Sequence, residues 1–178
     1  MSNAYDRHAL ILIDLINPFD FNGGTDLYQH TLEIVPHLNR LKDFARTHDI
    51  PIIYVNDHYE IWQSSPEPII QYCQNEQSEQ IINELRPHED DYFLIKPFHS
   101  AFHQTPLRAL LESLQKTTLI LAGIAGDICI LFTAQDAYMY GDYKLWVPKN
   151  CLASETKEGN NHALALLHSV TKASITPI

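Results

Sequence analysis

Five short apolar runs recur along the chain, and most of them are continuous rather than alternating with polar residues. Continuous apolar strands are typical of a sheet that is covered on both faces. Between the runs lie segments with helical spacing, such as the stripe formed by Leu107, Leu110, Leu111 and Leu114. This alternation predicts an α/β fold with a central, mostly parallel sheet between two layers of helices. The five runs are HALILID, IPIIYVN, DYFLIKP, TTLILAGI and YKLWVP.

Size, charge and cysteine content limit the class of protein. The chain has 178 residues, 45% of them hydrophobic, which suits one domain spanning 1–178. Its formal net charge of −10 argues against a nucleic-acid partner. No stretch reaches the about 18 apolar residues of a membrane span, so we expect no membrane partner. Cys73, Cys129 and Cys151 are an odd number at wide spacing, so we expect no disulfide framework and a cytoplasmic location.

Three reactive side chains stand where strands of the predicted sheet end. Asp14 ends the first run, Lys96 ends the third, and Cys129 follows the fourth at the start of a helix. Each has a simpler explanation, since Asp14 could cap a turn, Lys96 could be exposed and Cys129 could fill the core. However, ligands of parallel sheets bind at the carboxyl ends of the strands. Charges that end buried strands are also costly unless they are paired, and these two have opposite signs.

The chemistry predicted for this trio is acyl transfer. A thiolate at Cys129 would be the nucleophile, and we expect the helix N-terminus and Lys96 to lower the thiol pKa. Asp14 would take the thiol proton and later return it to the leaving group. Backbone N–H groups of Ala125 and Cys129 would bind the oxyanion. Together these roles predict a covalent thioester intermediate.

The order Asp, Lys, Cys resembles that of the isochorismatase-like cysteine hydrolases, which are relatives of nicotinamidase. The resemblance covers roughly residues 8 to 170. It implies a three-layer α/β/α sandwich, a homo-oligomer (dimer or tetramer), Asp14 as general base, Lys96 as activating cation and Cys129 as nucleophile. The matching segments are ALILIDLINPFDFNGG, YVNDHYEIWQSS, DYFLIKPFHSAF, LAGIAGDICILFTAQDA, VPKNCLASE and HALALL.

The segment before Cys129 carries two further implications of the resemblance. In this family the peptide bond four residues before the cysteine is commonly cis, which places it between Ile124 and Ala125. Such a bond would turn the Ala125 N–H towards the substrate. The family usually has a threonine where this chain has Gly126.

The resemblance also bears on metal binding. Metal-dependent nicotinamidases carry Asp-x-His after the second strand, but here Asp57 is followed by His58 and then by Tyr59 at the ligand position. His99 and His103 are four residues apart and could be argued as ligands, although chance pairs are expected among ten histidines. A zinc site needs three or four well-placed ligands. We therefore expect no metal and no cofactor.

Four aromatic residues near the same edge of the sheet are candidates for binding substrate. They could form an apolar wall for a small flat or acyl substrate, or belong to the core. We expect two of the four to touch the pocket. They are Phe19, Trp62, Phe98 and Phe102.

The leading hypothesis is a metal-independent cysteine hydrolase that cleaves a C–N bond in a small amide or carbamoyl compound. A nicotinamidase-like, metal-assisted amidase is the second. A third is a catalytically silent protein of the same fold that binds a small ligand. Retention of Asp14, Lys96 and Cys129 together favours an enzyme, because a silent fold needs none of them.

Overall fold

Six parallel strands form one central sheet in the computed structural model, which describes residues 4–178. Their order is β3-β2-β1-β4-β5, and β6 pairs with β4 beyond the end of β5. Five strands coincide with the apolar runs, whereas the two-residue β6 is too short to give a pattern. The strands are β1 (His8–Ile13), β2 (Ile52–Asp57), β3 (Tyr92–Lys96), β4 (Thr118–Ile124), β5 (Lys144–Trp146) and β6 (Leu152–Ala153).

Helices cover both faces of the sheet. The helices α4, α5 and α6 pack on one face, and α1 and α3 pack on the other. None of the helices within residues 4–178 combines the length and the apolar character that a membrane crossing requires. The helices are α1 (Gly24–Thr47), α2 (Pro66–Cys73), α3 (Glu79–Leu85), α4 (Leu107–Ser113), α5 (Leu131–Tyr140) and α6 (Lys157–Ser169).

The central strand β1 shows why the apolar runs are continuous. Ala9, Ile11 and Ile13 belong to the core beneath α4, α5 and α6, while Leu10 and Leu12 belong to the core beneath α1 and α3. All five are fully buried. Because successive side chains of a strand point to opposite faces, two covered faces require an apolar residue at every position. The prediction of a mostly parallel sheet between helix layers is confirmed.

The segment between β2 and β3 is more regular than its sequence indicates. Residues 57–78 have the least regular pattern in the sequence, yet α2 lies among them. Pro66 and Pro68 lie in the first turn of α2. The N–H groups of a first turn have no partner within the helix, so the N–H that proline lacks costs no helical hydrogen bond. Ile69 and Cys73 pack against Ile16 of the loop after β1. The short helix therefore supports the loop that follows Asp14.

A buried asparagine fixes the same loop from below. Asn56, in β2, is 1% exposed. Its Nδ2 donates to the carbonyl oxygen of Ile16 at 2.9 Å, and its Oδ1 accepts from the N–H of Ile16 at 3.1 Å. One side chain thus satisfies both polar backbone groups of a buried residue, so the loop after β1 depends on it.

We expect Asn56→Ala to lower the free energy of unfolding by about 1–3 kcal/mol, because the buried N–H of Ile16 loses its acceptor, whereas the carbonyl oxygen of Ile16 keeps the hydroxyl of Tyr59 as a donor. Urea unfolding measures this loss. The control is Asn161→Ala at an exposed position of α6, which should stay within about 0.5 kcal/mol of the original protein. Equal stability of the two variants would contradict the role given to Asn56.

Candidate active site

A buried lysine lies at the centre of the site. Lys96 is the last residue of β3 and is fully buried. Its Nζ lies 2.9 Å from Oδ2 of Asp14 and 2.6 Å from Oδ1 of Asp57. The same Nζ lies 3.7 Å from Sγ of Cys129. Since β2 separates β3 from β1, only a long side chain reaches Asp14 from this strand. The structure thus brings the three residues predicted from strand ends together.

Asp14 is held by the ends of two neighbouring strands. Its N–H donates to the carbonyl oxygen of Val55 at 3.1 Å. Its Oδ1 accepts from the N–H of Asp57 at 3.0 Å, and its Oδ2 lies 2.9 Å from Nζ of Lys96. The backbone of Asp14 has φ 52°, an uncommon conformation for a residue with a side chain. These contacts fix the carboxylate between the lysine and the thiol.

Cys129 lies on a π-helical turn, Gly126–Ile130, that leads directly into α5. The carbonyl oxygen of Ala125 accepts from the N–H of Ile128 at 3.2 Å and from the N–H of Ile130 at 3.1 Å. The Ile124–Ala125 peptide bond is cis, the form that was expected for it. The turn places the thiol, 8% exposed, at the sheet edge where Asp14 and Lys96 lie.

Glycine at position 126 allows α6 to approach this turn closely. A Cβ at Gly126 would clash with Oδ1 of Asn160 and with Cδ1 of Leu152. The Oγ of Ser154 accepts from the N–H of Asp127 at 3.2 Å and donates to Oδ1 of Asn160 at 3.1 Å. The space that a threonine side chain would need is therefore already occupied by the side chains of Asn160, Leu152 and Ser154.

Burial and charge set the protonation of the two groups around the thiol. Burial raises the pKa of Asp14 to about 6, with Lys96 opposing the rise and Asp57 adding to it. Burial alone would lower the pKa of Lys96, but the negative charges of Asp14, Cys129 and Asp57 outweigh it and raise that pKa. At neutral pH the lysine is thus an ammonium and Asp14 is a carboxylate close to its titration range.

The thiol behaves differently from the sequence-based expectation. We expected the helix N-terminus and Lys96 to lower the pKa of Cys129. Burial instead raises it, the charge of Asp14 raises it further, and Lys96 only partly opposes them. The free site therefore holds a neutral thiol beside a carboxylate.

A cavity of about 350 Å³ opens over the thiol. We call it the Cys129 cavity. The side chains around it are mixed in character, with carboxylates, one imidazole, an amide and several apolar groups. Its volume suits a small molecule. Its lining consists of Asp14, Asn17, Pro18, Asp20, Phe21, Leu27, Asp57, Tyr59, Tyr72, His99, Ile124, Ala125, Ile128, Cys129 and Glu155.

Comparison of the sequence with known families identifies the relatives of this chain. The sequence model of the isochorismatase domain matches residues 8–176. Over 168 residues the chain is 49% identical to the uncharacterized isochorismatase family protein YaaI of Bacillus subtilis, which covers 94% of this chain and 92% of that one. The chain belongs to the isochorismatase family.

Solved structures of isochorismatase-like proteins share its architecture. An isochorismatase-like hydrolase from Alkaliphilus metalliredigens superposes with a TM-score of 0.74 at 26% identity, over 95% of this chain and 92% of that one. The nicotinamidase PncA from Bacillus subtilis superposes with a TM-score of 0.74 at 25% identity, over 96% of this chain and 99% of that one. This chain is an isochorismatase-family hydrolase, and its predicted fold is the fold of the family.

The four predicted aromatic wall residues lie outside the lining of the Cys129 cavity. Phe19 is 2% exposed and packs in the core beside α1, and Phe102 is 5% exposed and packs in the core beside α4. Trp62 is exposed and stacks on His58 with 3.9 Å between ring centroids. Phe98 is exposed and lines a shallow neighbouring hollow. The correction has a physical reason: nearness to a strand end does not fix the direction of a loop side chain.

Other residues of the site escaped the sequence analysis. Asp57 was considered only as a metal ligand, although it ends β2 and the rule applied to Asp14 and Lys96 would have found it. His99 was weighed only as a possible ligand, yet its Nδ1 lies 4.0 Å from Sγ of Cys129. Phe21 of the lining follows no periodic pattern, so the sequence offered no signal for it.

The residues after β2 do not fit a nicotinamidase-type metal site. Asp57 already binds Lys96 at 2.6 Å. The hydroxyl of Tyr59, at the position of a ligand histidine, donates to the carbonyl oxygen of Ile16 at 3.2 Å. The Nδ1 of His58 accepts from the N–H of Glu60 at 2.8 Å. A metal ion at this position would have to displace these contacts. It would then have the carboxylate of Asp57 as a ligand, but no histidine where the nicotinamidase site has one.

Proposed function

We propose that the protein hydrolyses a C–N bond of a small amide or carbamoyl compound through a thioester on Cys129, without a metal ion. One observation carries the proposal: a single ammonium group, Nζ of Lys96, lies within 2.9 Å of Asp14 and 3.7 Å of the thiol. The cavity over the thiol is of a size for a small substrate. The structural likeness to a nicotinamidase, which acts on an amide, supports the reaction class.

The first half-reaction forms the acyl-enzyme. The Sγ of Cys129 attacks the carbonyl carbon of the substrate while its proton moves to the carboxylate of Asp14. Lys96 remains an ammonium and stabilises the negative charge on sulfur as it develops. The tetrahedral intermediate then collapses, the C–N bond breaks, and Asp14 returns the proton to the departing nitrogen. Ammonia or an amine leaves, and the acyl group stays on sulfur.

The second half-reaction releases the acid. Water attacks the thioester carbon while Asp14 takes a proton from it. The C–S bond breaks, and Cys129 recovers its proton from Asp14. A carboxyl group with a pKa of about 6 suits this exchange in both directions at neutral pH. The backbone N–H groups of Ala125 and Cys129 are our proposed donors to the oxyanion in both steps, and both residues line the cavity.

Cys129→Ala is expected to abolish hydrolysis of any amide found in a substrate screen while leaving thermal unfolding close to that of the original protein. The variant lacks the attacking atom, and the alanine fills most of the same space. Ammonia release measures the activity, and intact-mass trapping of the acyl-enzyme shows the thioester. Cys151→Ala, at a buried cysteine outside the lining, is the matched control. Normal turnover by Cys129→Ala would reject the mechanism.

The pH profile of kcat/KM should have an acidic limb near pH 6, because Asp14 accepts the thiol proton only as a carboxylate. Its raised pKa means that activity is present above this value and falls about tenfold per pH unit below it. Initial rates between about pH 4.5 and 8 on an active amide give the pH at which kcat/KM falls to half of its plateau value.

His99 is the histidine beside the thiol, so a variant at this position separates proton transfer to Asp14 from proton transfer to the imidazole. We expect His99→Gln to keep the limb and Asp14→Asn to lose activity at every pH. Disappearance of the limb in His99→Gln would assign the proton transfer to the histidine instead of Asp14.

Activity should survive exhaustive chelation, since Asp57 is engaged with Lys96 and Tyr59 replaces a ligand histidine. Turnover before and after dialysis against a chelator, with metal content measured in parallel, tests this. Activity lost on chelation and restored by zinc would favour the metal-assisted amidase. The homo-oligomer, the cytoplasmic location and the extent of the domain stay predictions.

A further inference from the structure

We propose that the substrate carries a positively charged group, an ammonium or an amidinium, a few bonds away from the scissile carbonyl. This inference rests on the proposed amide hydrolysis and adds the class of substrate to it. The lining of the Cys129 cavity carries it, because that lining combines unpaired carboxylates, exposed aromatic rings and no lysine or arginine among residues 4–178.

The charge balance of the cavity is negative. Four carboxylates line it, those of Asp14, Asp57, Asp20 and Glu155. Lys96 binds the first two. Within residues 4–178, Asp20 and Glu155 have no lysine, arginine or histidine nitrogen within 4.0 Å. One buried cation thus faces four carboxylates, and the two that catalysis does not use are left to act on a ligand.

The carboxylate of Glu155 lies close to Gly23, at the start of α1. Glu155 is half-buried, and its carboxylate occupies the space that a side chain at position 23 would fill. Gly23 has φ 90° and directly precedes α1, so glycine is required there for its conformation as well as for this contact. This carboxylate also lines the Cys129 cavity, where a cationic group of a ligand can reach it.

Aromatic rings complete the same rim. Phe21 is 45% exposed and Tyr72 is 56% exposed, and both line the Cys129 cavity. The ring of Tyr72 stacks on that of Tyr59 with 5.1 Å between centroids, which fixes its position. Aromatic faces beside carboxylates are the combination that binds ammonium groups, through cation–π and ionic attraction together.

The same lining disfavours substrates with a carboxylate. His99 is the one basic side chain in it among the described residues, and its Nδ1 lies 4.0 Å from the thiol, at the reacting end. At the dielectric of a protein surface, each unpaired carboxylate within several ångströms of a charged ligand group changes the affinity for that ligand by about two- to tenfold. The affinity rises for a cation and falls for an anion. Two such carboxylates should make the affinity for a cationic ligand more than tenfold higher than the affinity for an anionic ligand of the same shape.

Thiol reagents of opposite charge test the cavity without any amide turnover. Methanethiosulfonates carrying either a trimethylammonium-ethyl or a sulfonato-ethyl group convert Cys129 to a mixed disulfide as the thiol proton passes to Asp14, and they release methanesulfinate. Rates at pH 8 are followed by intact mass, with peptide mapping to exclude the buried Cys73 and Cys151. Each rate is divided by the rate of the same reagent with 2-mercaptoethanol.

The corrected rate should be at least tenfold higher for the cationic reagent. The double variant Asp20→Asn with Glu155→Gln should reduce this ratio about fivefold or more. The control variant, Glu84→Gln with Asp90→Asn, removes the same charge at exposed positions outside the cavity and should leave the ratio unchanged. A ratio near one, or one that falls equally in both variants, would overturn the proposal.

Three amides of one length give the catalytic arm of the test. They are 4-aminobutanamide, pentanamide and the monoamide of glutaric acid, which end in an ammonium, a methyl and a carboxylate. We expect kcat/KM to fall in that order. In the double variant the three values of kcat/KM should lie closer together. Fastest turnover of the glutaric monoamide would overturn the cationic class and leave amide hydrolysis standing. A cation-selective reagent ratio with no hydrolysis of any amide would support the charge preference and count against the proposed reaction.

Discussion

The buried ammonium of Lys96 is the interaction on which the rest of the site depends. A lone charge in the interior is costly, and here two carboxylates within 2.9 Å offset that cost. The arrangement requires the ends of β1, β2 and β3 to stay in register, which places Asp57 directly beside Lys96. It also requires the loop after β1 to be fixed, which α2 and Asn56 do. Fold and chemistry are therefore held by the same contacts.

The parts of the structure that follow from periodicity could be predicted from the sequence. A strand covered on both faces is apolar at every position, so the five longer strands and their helix layers were recognisable. The trio of Asp14, Lys96 and Cys129 was also recognisable, because parallel strands bring their carboxyl ends to one edge. The same rule applied to Asp57 would have added the second partner of the lysine.

Features that depend on side-chain direction could not be predicted. Phe19 and Phe102 follow strands that end at the edge of the sheet where Cys129 lies, yet their rings are buried in the core. Phe21, in contrast, lines the cavity. Periodicity says nothing about such loop residues. The thiol pKa was also beyond the sequence, because it depends on how deeply Cys129 is buried against the opposing charges of Asp14 and Lys96.

The close packing at Gly126 ties the turn that carries Cys129 to α6, some thirty residues further along the chain, through Asn160. The two segments are therefore structurally coupled. A chimera that takes the segment around Cys129 from a relative with threonine at position 126 would clash with Asn160 unless α6 were exchanged with it. An exchange of both segments together avoids this clash, whereas a crossover between Cys129 and α6 creates it.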